Sequence, residues 1–573
     1  MNKYNKLRIT ILIIIGMVSA TNINGFGQAT QKFLKVYTTV DRILVPDNVA
    51  VTPTVKLDDP ANFAKYGYGK YHYEAGLLCQ KRLDLMPAGY DYKKAAPTAN
   101  LLRFFTITDI HLTDKESPCQ AIFFAPFAGA NGISAYSPLM LYTTQVLDAT
   151  IKTINDLHKQ YPFDFGLSLG DMANSTQYNE LRWFIDILDG KNINPDSGIK
   201  DDPTPGPNND FQDTFKAVGL DKSIPWYAAV GNHDHFFMGV KPVNDRIRRT
   251  LIGDSILQLG FVFDANNKNV MNERTFSVGT LDCSKLYAPI IGSGVVAKMG
   301  KIPTIAPDTN RRSLTKTEFI NEFSNTTTLP KGHGFVQSNP ANMFDGCYSF
   351  EPKSNVPLKI IVIDDTQLDT DPQVKEGIYG HGELGNGRYE WLIAQLKAGQ
   401  QANQLMIISA HIPIGVLPES PMDWNVAPGY SSETNLIEQL KLFPNLILWV
   451  AGHRHLNTIT AFASTDMNHP ENGFWQVETK SLREFPEQFR TFDIVLNSDN
   501  TISIITTDVD PEMKEGTQAA IGRSYAIASQ QLYGAYETPL PTGSVAYNAE
   551  LVKALSPQMQ TIIKNKGTTI IRK

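Results

Sequence analysis

Cysteine is scarce in this sequence, and no two cysteines stand at metal-binding spacing. Four of them, Cys79, Cys119, Cys283 and Cys347, are scattered through 573 residues. That excludes a CxxC-type zinc or redox motif. In an exported chain an even count allows one or two disulfides, and small buried thiols are the alternative. A charge excess of one sign is missing too. Lys and Arg number 52 against 58 Asp and Glu, for a net charge of −6, and the basic residues are not clustered along any segment. A protein that tracks a nucleic-acid backbone would carry a basic stripe, so no nucleic-acid partner is expected. The apolar stretch near the start, Ile9 to Val18, is broken by Thr10 and Gly16 and is too short to span a bilayer. No stable membrane span is expected, and no internal repeat or low-complexity tract stands out.

What is present belongs to an ordinary globular chain, 42% hydrophobic and 19% charged. Residues 1–27 have the anatomy of a secretory signal. Lys3, Lys6 and Arg8 precede the apolar stretch, and small residues follow at Val18-Ser19-Ala20 and Gly25-Phe26-Gly27. Export to the periplasm or beyond is the expectation, with an uncleaved anchor as the alternative. No cysteine lies nearby for lipid attachment. Residues 28–100 read as a Pro- and Tyr-rich extension without a metal or nucleophile signature. From Leu101 an alternation of strand and helix begins. Helical spacing runs from Leu141 to His158 (Leu147, Ile151, Ile154, Leu157) and from Tyr178 to Leu188. Residues 236–346 form an insertion with short possible strands at Phe261–Phe263 and Arg274–Val278. A strand at Leu358–Ile363 and a helix at Arg388–Leu396 follow. Strands at Gly473–Thr479, Arg490–Leu496 and Thr501–Thr506 close a catalytic domain spanning 101–510, and 511–573 read as a helical extension.

Five clusters carry the chemistry. They are Asp109-Ile110-His111, Gly170-Asp171-Met172-Ala173-Asn174, Gly231-Asn232-His233-Asp234, His411, and Gly452-His453-Arg454-His455. Each follows an apolar run that reads as a strand: Leu102–Ile107, Phe163–Leu169, Trp226–Val230, Leu405–Ser409 and Leu446–Val450. Ligands at the ends of successive strands converge on one rim of a sheet, where sites of α/β folds lie. Two divalent ions ~3.5–4 Å apart can bind both the attacking and the phosphoryl oxygens of an in-line displacement. Asp171 is the natural bridging carboxylate, with a hydroxide as the second bridge. Asp109, His111 and His455 would complete one ion, and Asn232, His411 and His453 the other. Imidazole mixed with oxygen suits zinc, iron or manganese better than calcium or magnesium.

Asp109 and His111 are two apart and can share a strand face, as can His453 and His455 unless a turn separates them. Glycines at 170, 231 and 452 mark places where the backbone turns sharply or nears the ions. His233 is better used as a charge stabiliser and proton donor to the leaving oxygen, with Asp234 holding its ring. Asn174 reads as a helix cap or turn residue. Arg454 either neutralises phosphate or is turned away by strand geometry. His72, His158, His333 and His469 read as structural, while His235 and His381 lie close enough to the clusters to be candidates for substrate contact. Trp183, Trp226 and Tyr227 read as core.

The ordered set Asp-x-His, Gly-Asp-x-x-Asn, Gly-Asn-His-Asp, His and Gly-His-x-His resembles the calcineurin-like metallophosphoesterase superfamily. The resemblance covers roughly residues 100–510, and no motif departs from the family's pattern. It implies a four-layer α/β/β/α sandwich with N-terminal, central and C-terminal additions, and a binuclear centre with the ligand roles above. The function expected is an exported metal-dependent phosphohydrolase acting on a small-molecule phosphoester through the bridging hydroxide, with phosphodiesters favoured. The alternatives are a phosphomonoesterase or nucleotidase, or an envelope ligand-binding protein with weak hydrolysis. No protein partner is implied.

Overall fold

Runs of almost wholly apolar side chains, such as Leu405–Ser409 and Leu446–Ala451, are strands where both sheet faces are covered. Both are buried along their whole length. The computed structural model describes residues 36–573 except 51–54, 56, 58, 121, 123–135, 200–205, 207–208, 257–279, 282–289, 293–303, 336–345, 369–379, 386, 416–431, 534–545 and 568–573. The expected signal segment, the short strands at 261–263 and 274–278, and Cys283 lie outside the described residues.

The chain is a mixed α/β protein with two large sheets. One runs in the order Gln80–Leu85, Ala549–Lys553, Ile502–Val509, Phe489–Asn497, Pro97–Ile107, Phe165–Ser168, Trp226–Ala228. Its last three strands are parallel. The other runs Tyr348–Phe350, Leu358–Val362, Leu405–Ser409, Leu446–Ala451, Phe474–Glu478, Thr458–Phe462, with the central four parallel. Side chains from the two sheets meet: the rings of Phe165 and Phe350 lie 5.5 Å apart, and Tyr227 stacks on Phe350 at 3.6 Å. Helices Thr143–Gln160 and Tyr178–Leu188 add Leu147, Ile151 and Phe184 to the same core. Leu392, Leu396, Leu436 and Leu440, from helices Arg388–Gln401 and Glu433–Leu440, cover Met406, Ile408 and Trp449 of the second sheet. Each such side chain contributes about 1.5–3 kcal/mol by leaving water.

Segments before residue 101 and after residue 511 both enter the first sheet, which differs from the expected extensions. Strand Ala549–Lys553 inserts between Ile502–Val509 and Gln80–Leu85, so residues after 511 are not purely helical. Five residues are too short for periodicity to separate strand from helix. The long strand at Pro97–Ile107 likewise begins before Leu101. Helices Gln518–Tyr533 and Pro557–Gly567 supply the expected helical part. Cys79, Cys119 and Cys347 are free thiols, the latter two buried. No helix among the described residues is long and apolar enough to cross a membrane.

Candidate metal centre

The five clusters meet just past the C-terminal ends of the parallel strands, in loops rather than on strand faces. Asp109, His111, Asp171, His453 and His455 all have φ between 47° and 71°, the left-handed region that non-glycine residues avoid. That corrects the strand-face expectation for Asp109 with His111 and for His453 with His455: strands Pro97–Ile107 and Leu446–Ala451 end before them. Left-handed turns aim the side chains instead, at about 1–3 kcal/mol of strain each, which the surrounding structure must offset.

The donor atoms form two groups that share one oxygen. In the first, Asp109 Oδ1 lies 3.3 Å from His455 Nε2 and 3.8 Å from His111 Nε2, and the two imidazole nitrogens are 3.2 Å apart. In the second, His411 Nε2 lies 2.9 Å from Asn232 Oδ1 and 3.2 Å from His453 Nδ1, with His453 Nδ1 3.1 Å from Asn232 Oδ1. Asp171 Oδ2 belongs to both, 3.7 Å from His111 Nε2 and 3.3 Å from His411 Nε2. A tetrahedral ion with bonds of about 2.0–2.1 Å has donor–donor edges near 3.3 Å. The spacing therefore fits cations. So does Asp109 Oδ1, which is buried and accepts no hydrogen bond.

Second contacts fix the donors. Asp109 Oδ2 accepts from Thr108 Oγ1 at 2.7 Å and from the His453 N–H at 2.9 Å, which leaves Oδ1 for the centre. His411 Nδ1 faces the Leu169 carbonyl at 2.9 Å, and His455 Nδ1 faces Glu484 at 2.5 Å. Such partners set the tautomer and ring angle of metal-ligating histidines. Asn232 Nδ2 donates to the Gly239 carbonyl at 2.9 Å, turning Oδ1 inward. Gly231 is needed for close approach: a Cβ there would sit 2.2 Å from the Asp171 backbone nitrogen.

The electrostatics demand positive charge. Burial disfavours a charged ring on His411 and His455, yet Asp171 and Asp109 override it and push them up to about 10 and about 9. Burial and the neighbouring His411 push His453 down to about 3. With two buried carboxylates, protons on two imidazoles take the place that cations would fill.

His233 lies against this centre without being one of the shared donors. One of its ring nitrogens is within 4.8 Å of donor atoms of His111 and Asp171, and its ring stands perpendicular to that of His111 at 4.4 Å. Its Nδ1 meets the Asn174 carbonyl at 2.7 Å. A carbonyl only accepts, so Nδ1 carries a proton and Nε2 is the atom that can exchange one. The expected partner, Asp234, does something else. Its carboxylate accepts from the backbone N–H groups of Asp171, Met172, Ala173 and Gly231 at 2.8–3.1 Å. It organises the ligand loops, because a buried turn leaves four N–H groups that need an acceptor. Nor is Asn174 a helix cap: its Nδ2 donates to Gln120, its Oδ1 accepts from Arg483, and its carbonyl holds His233.

Other expectations resolve plainly. Arg454 is turned away from the centre and paired with Glu478, Nε to Oε1 at 2.7 Å. His235 Nε2 lies 2.8 Å from Thr366 Oγ1, and the His381 N–H donates to Gln367. His72, His158, His333 and His469 bind Asp47, Ser223, the Trp226 carbonyl and Glu471. Trp183 and Trp226 are core, with Tyr227 packed against it. Sequence reasoning missed Glu484, Arg483, Thr108 and Gly239. Only the position of Thr108 beside Asp109 was a local signal.

The donors could hold two cations that share the Asp171 oxygen. No family model and no curated protein matches the chain. Among solved structures, the chain is similar to a dimetal phosphatase from Danio rerio at 10% identity and a TM-score of 0.34, over 72% of this chain and 100% of that one. A candidate 5′-nucleotidase from Staphylococcus aureus gives 11% identity and 0.33, over 74% of this chain and 57% of that one. The sulfate thiohydrolase SoxB from Thermus thermophilus gives 10% and 0.29, over 77% and 61%.

Proposed function

We propose that this chain is an exported binuclear metallophosphoesterase, arranged as a four-layer α/β/β/α sandwich, that favours phosphodiesters. The observation that carries the reading is Asp171 Oδ2, shared between the His111 and His411 donor groups. Two bound ions would supply Lewis acidity, positive charge at the phosphoryl oxygens and a water of lowered pKa. Asp109, His111 and His455 would hold one ion, and Asn232, His411 and His453 the other, with Asp171 available to both. Zinc, iron or manganese fits this mixture of imidazole and oxygen. His233 keeps its Nδ1 proton on the Asn174 carbonyl; once Nε2 has taken a proton from solvent, which burial opposes and the Asp171 charge favours, the imidazolium can pass that proton to the leaving oxygen. Proton donation matters most for an alkoxide, a poor leaving group, which is why diesters are favoured. The basic and apolar N-terminal segment supports export.

The test is turnover of a dialkyl phosphodiester, whose alkoxide must be protonated as it leaves, with added manganese, by the native chain and by His233→Ala. A rate loss of about 10²–10⁴ in the variant is expected for a lost proton donor. Equal rates would overturn the catalytic assignment. A screen of monoesters, diesters and pyrophosphates on the same preparation tests the preference for diesters.

A further inference from the structure

Arg483 is the feature of this site that the five motifs do not absorb. It lies in the loop after strand Phe474–Glu478 and is tied to the centre from both ends. On the backbone side, the Arg483 N–H donates to Ser481 Oγ at 2.9 Å, and that hydroxyl donates to the carbonyl of Asp109 at 2.7 Å. The preceding residue, Leu482, donates its N–H to the Thr108 carbonyl at 3.2 Å. On the side-chain side, Nη1 donates to Asn174 Oδ1 at 2.5 Å, and the carbonyl of that same asparagine holds His233. The guanidinium lies 4.8 Å from the ring centre of Tyr136, a cation–π contact. One residue is thus referenced both to a metal donor and to the proton-transfer histidine.

Its charge is felt in the site. Burial is the main effect that opposes protonation of His111 and His233, and the guanidinium adds to it; burial likewise lowers the value of Arg483, against Tyr136, Glu484, Glu180 and Asp171, which favour its charged form. Arginine stays charged even when buried. A fixed cation here adds to the positive charge that two bound ions would bring, so the loaded site would attract an anion. Phosphoryl oxygens are such an anion, and preorganised positive groups at the place where their charge develops are worth most in a water-poor site.

We propose that Arg483 is a substrate-binding residue that reads the negative charge of the phosphoryl group beside His233, with Asn174 as the clamp that positions both. The inference rests on the phosphoester reading above. Because attraction scales with charge, Arg483 serves a dianionic monoester more than a monoanionic diester.

The experiment compares the manganese-loaded native chain with Arg483→Lys and Arg483→Met. It measures inorganic phosphate affinity by calorimetry, steady-state kinetics on p-nitrophenyl phosphate and bis(p-nitrophenyl) phosphate, and metal content. Arg483→Met is expected to keep two equivalents of metal and to weaken phosphate at least tenfold. It should raise KM for the monoester by a larger factor than for the diester, and Arg483→Lys should recover part of each loss. Unchanged phosphate affinity in Arg483→Met, or equal losses on both esters with no recovery by Lys, overturns the assignment. If Arg483→Met loses metal, the Lys variant decides by the ratio of its monoester and diester losses. The phosphate arm needs no turnover: phosphate binding that depends on Arg483 in a chain that hydrolyses nothing defeats the hydrolase reading and keeps this one, while hydrolysis with Arg483-independent phosphate binding does the reverse.

Discussion

The carboxylate of Asp234 accepts the backbone N–H of Asp171 at 3.0 Å, so one buried acid fixes the loop that presents the bridging ligand. Burial and the nearby charge of Asp171 push Asp234 up to about 7, while backbone N–H groups oppose them. Asp234→Asn replaces one acceptor oxygen with an amide nitrogen that faces N–H donors. At about 1–3 kcal/mol per stranded donor, the variant should lose several kcal/mol of stability and retain less metal. His233→Ala should instead keep stability and metal while losing turnover. Thermal melts with metal analysis separate the two; a stable, fully loaded Asp234→Asn would contradict the role of Asp234 in organising the loops.

Gly239 makes room for the imidazole of His233. Its φ is 72°, and a Cβ there would sit 2.2 Å from His233 Cδ2 and 2.5 Å from Asn232 Nδ2. Gly239→Ala should therefore displace both side chains and lower kcat by about 10²-fold, the scale of a misplaced catalytic group. Steady-state kinetics on bis(p-nitrophenyl) phosphate checks this; native kcat would show that the loop yields at no cost.

The candidate ligands were legible in the sequence because each stands at the end of an apolar run, and donor atoms of Asp109, His111, Asp171, Asn232, His411, His453 and His455 lie close together in the structure. The way they meet was not legible. Period-two reasoning places Asp109 and His111 on a strand face, whereas positive φ at both puts them in a turn, and side-chain type carries no mark of that. Partners distant in sequence were equally hidden: Glu484 for His455, and Arg483 for Asn174, which are 309 residues apart. The strand Ala549–Lys553 escaped because its pairing with Gln80–Leu85 joins the two ends of the chain.

Protons and any bound metal would compete for His411 and His455. Their folded values, about 10 and about 9, lie above the ordinary 6.5. In the metal-free protein their stabilisation is complete below about pH 6.5 and is lost as pH rises through about 9 to 10. The melting temperature of chelator-treated protein should accordingly fall between pH 7 and 10, and that of loaded protein should fall less. Metal uptake near neutrality should release protons and tighten with rising pH. Proton-release calorimetry checks this; uptake with no proton release would contradict it.

Asp171 serves both donor groups, so Asp171→Asn should lose both ions and activity together rather than one ion alone. Metal analysis of the purified variant reads this directly, and two retained equivalents would refute the shared oxygen.

The binuclear centre is tested most directly by anomalous X-ray scattering from crystals of the chain equilibrated with manganese or zinc. Two peaks ~3.5–4 Å apart are predicted, one among Asp109, His111 and His455, the other among Asn232, His411 and His453, with Asp171 Oδ2 between them. A single peak, or two peaks that do not share Asp171, would contradict it.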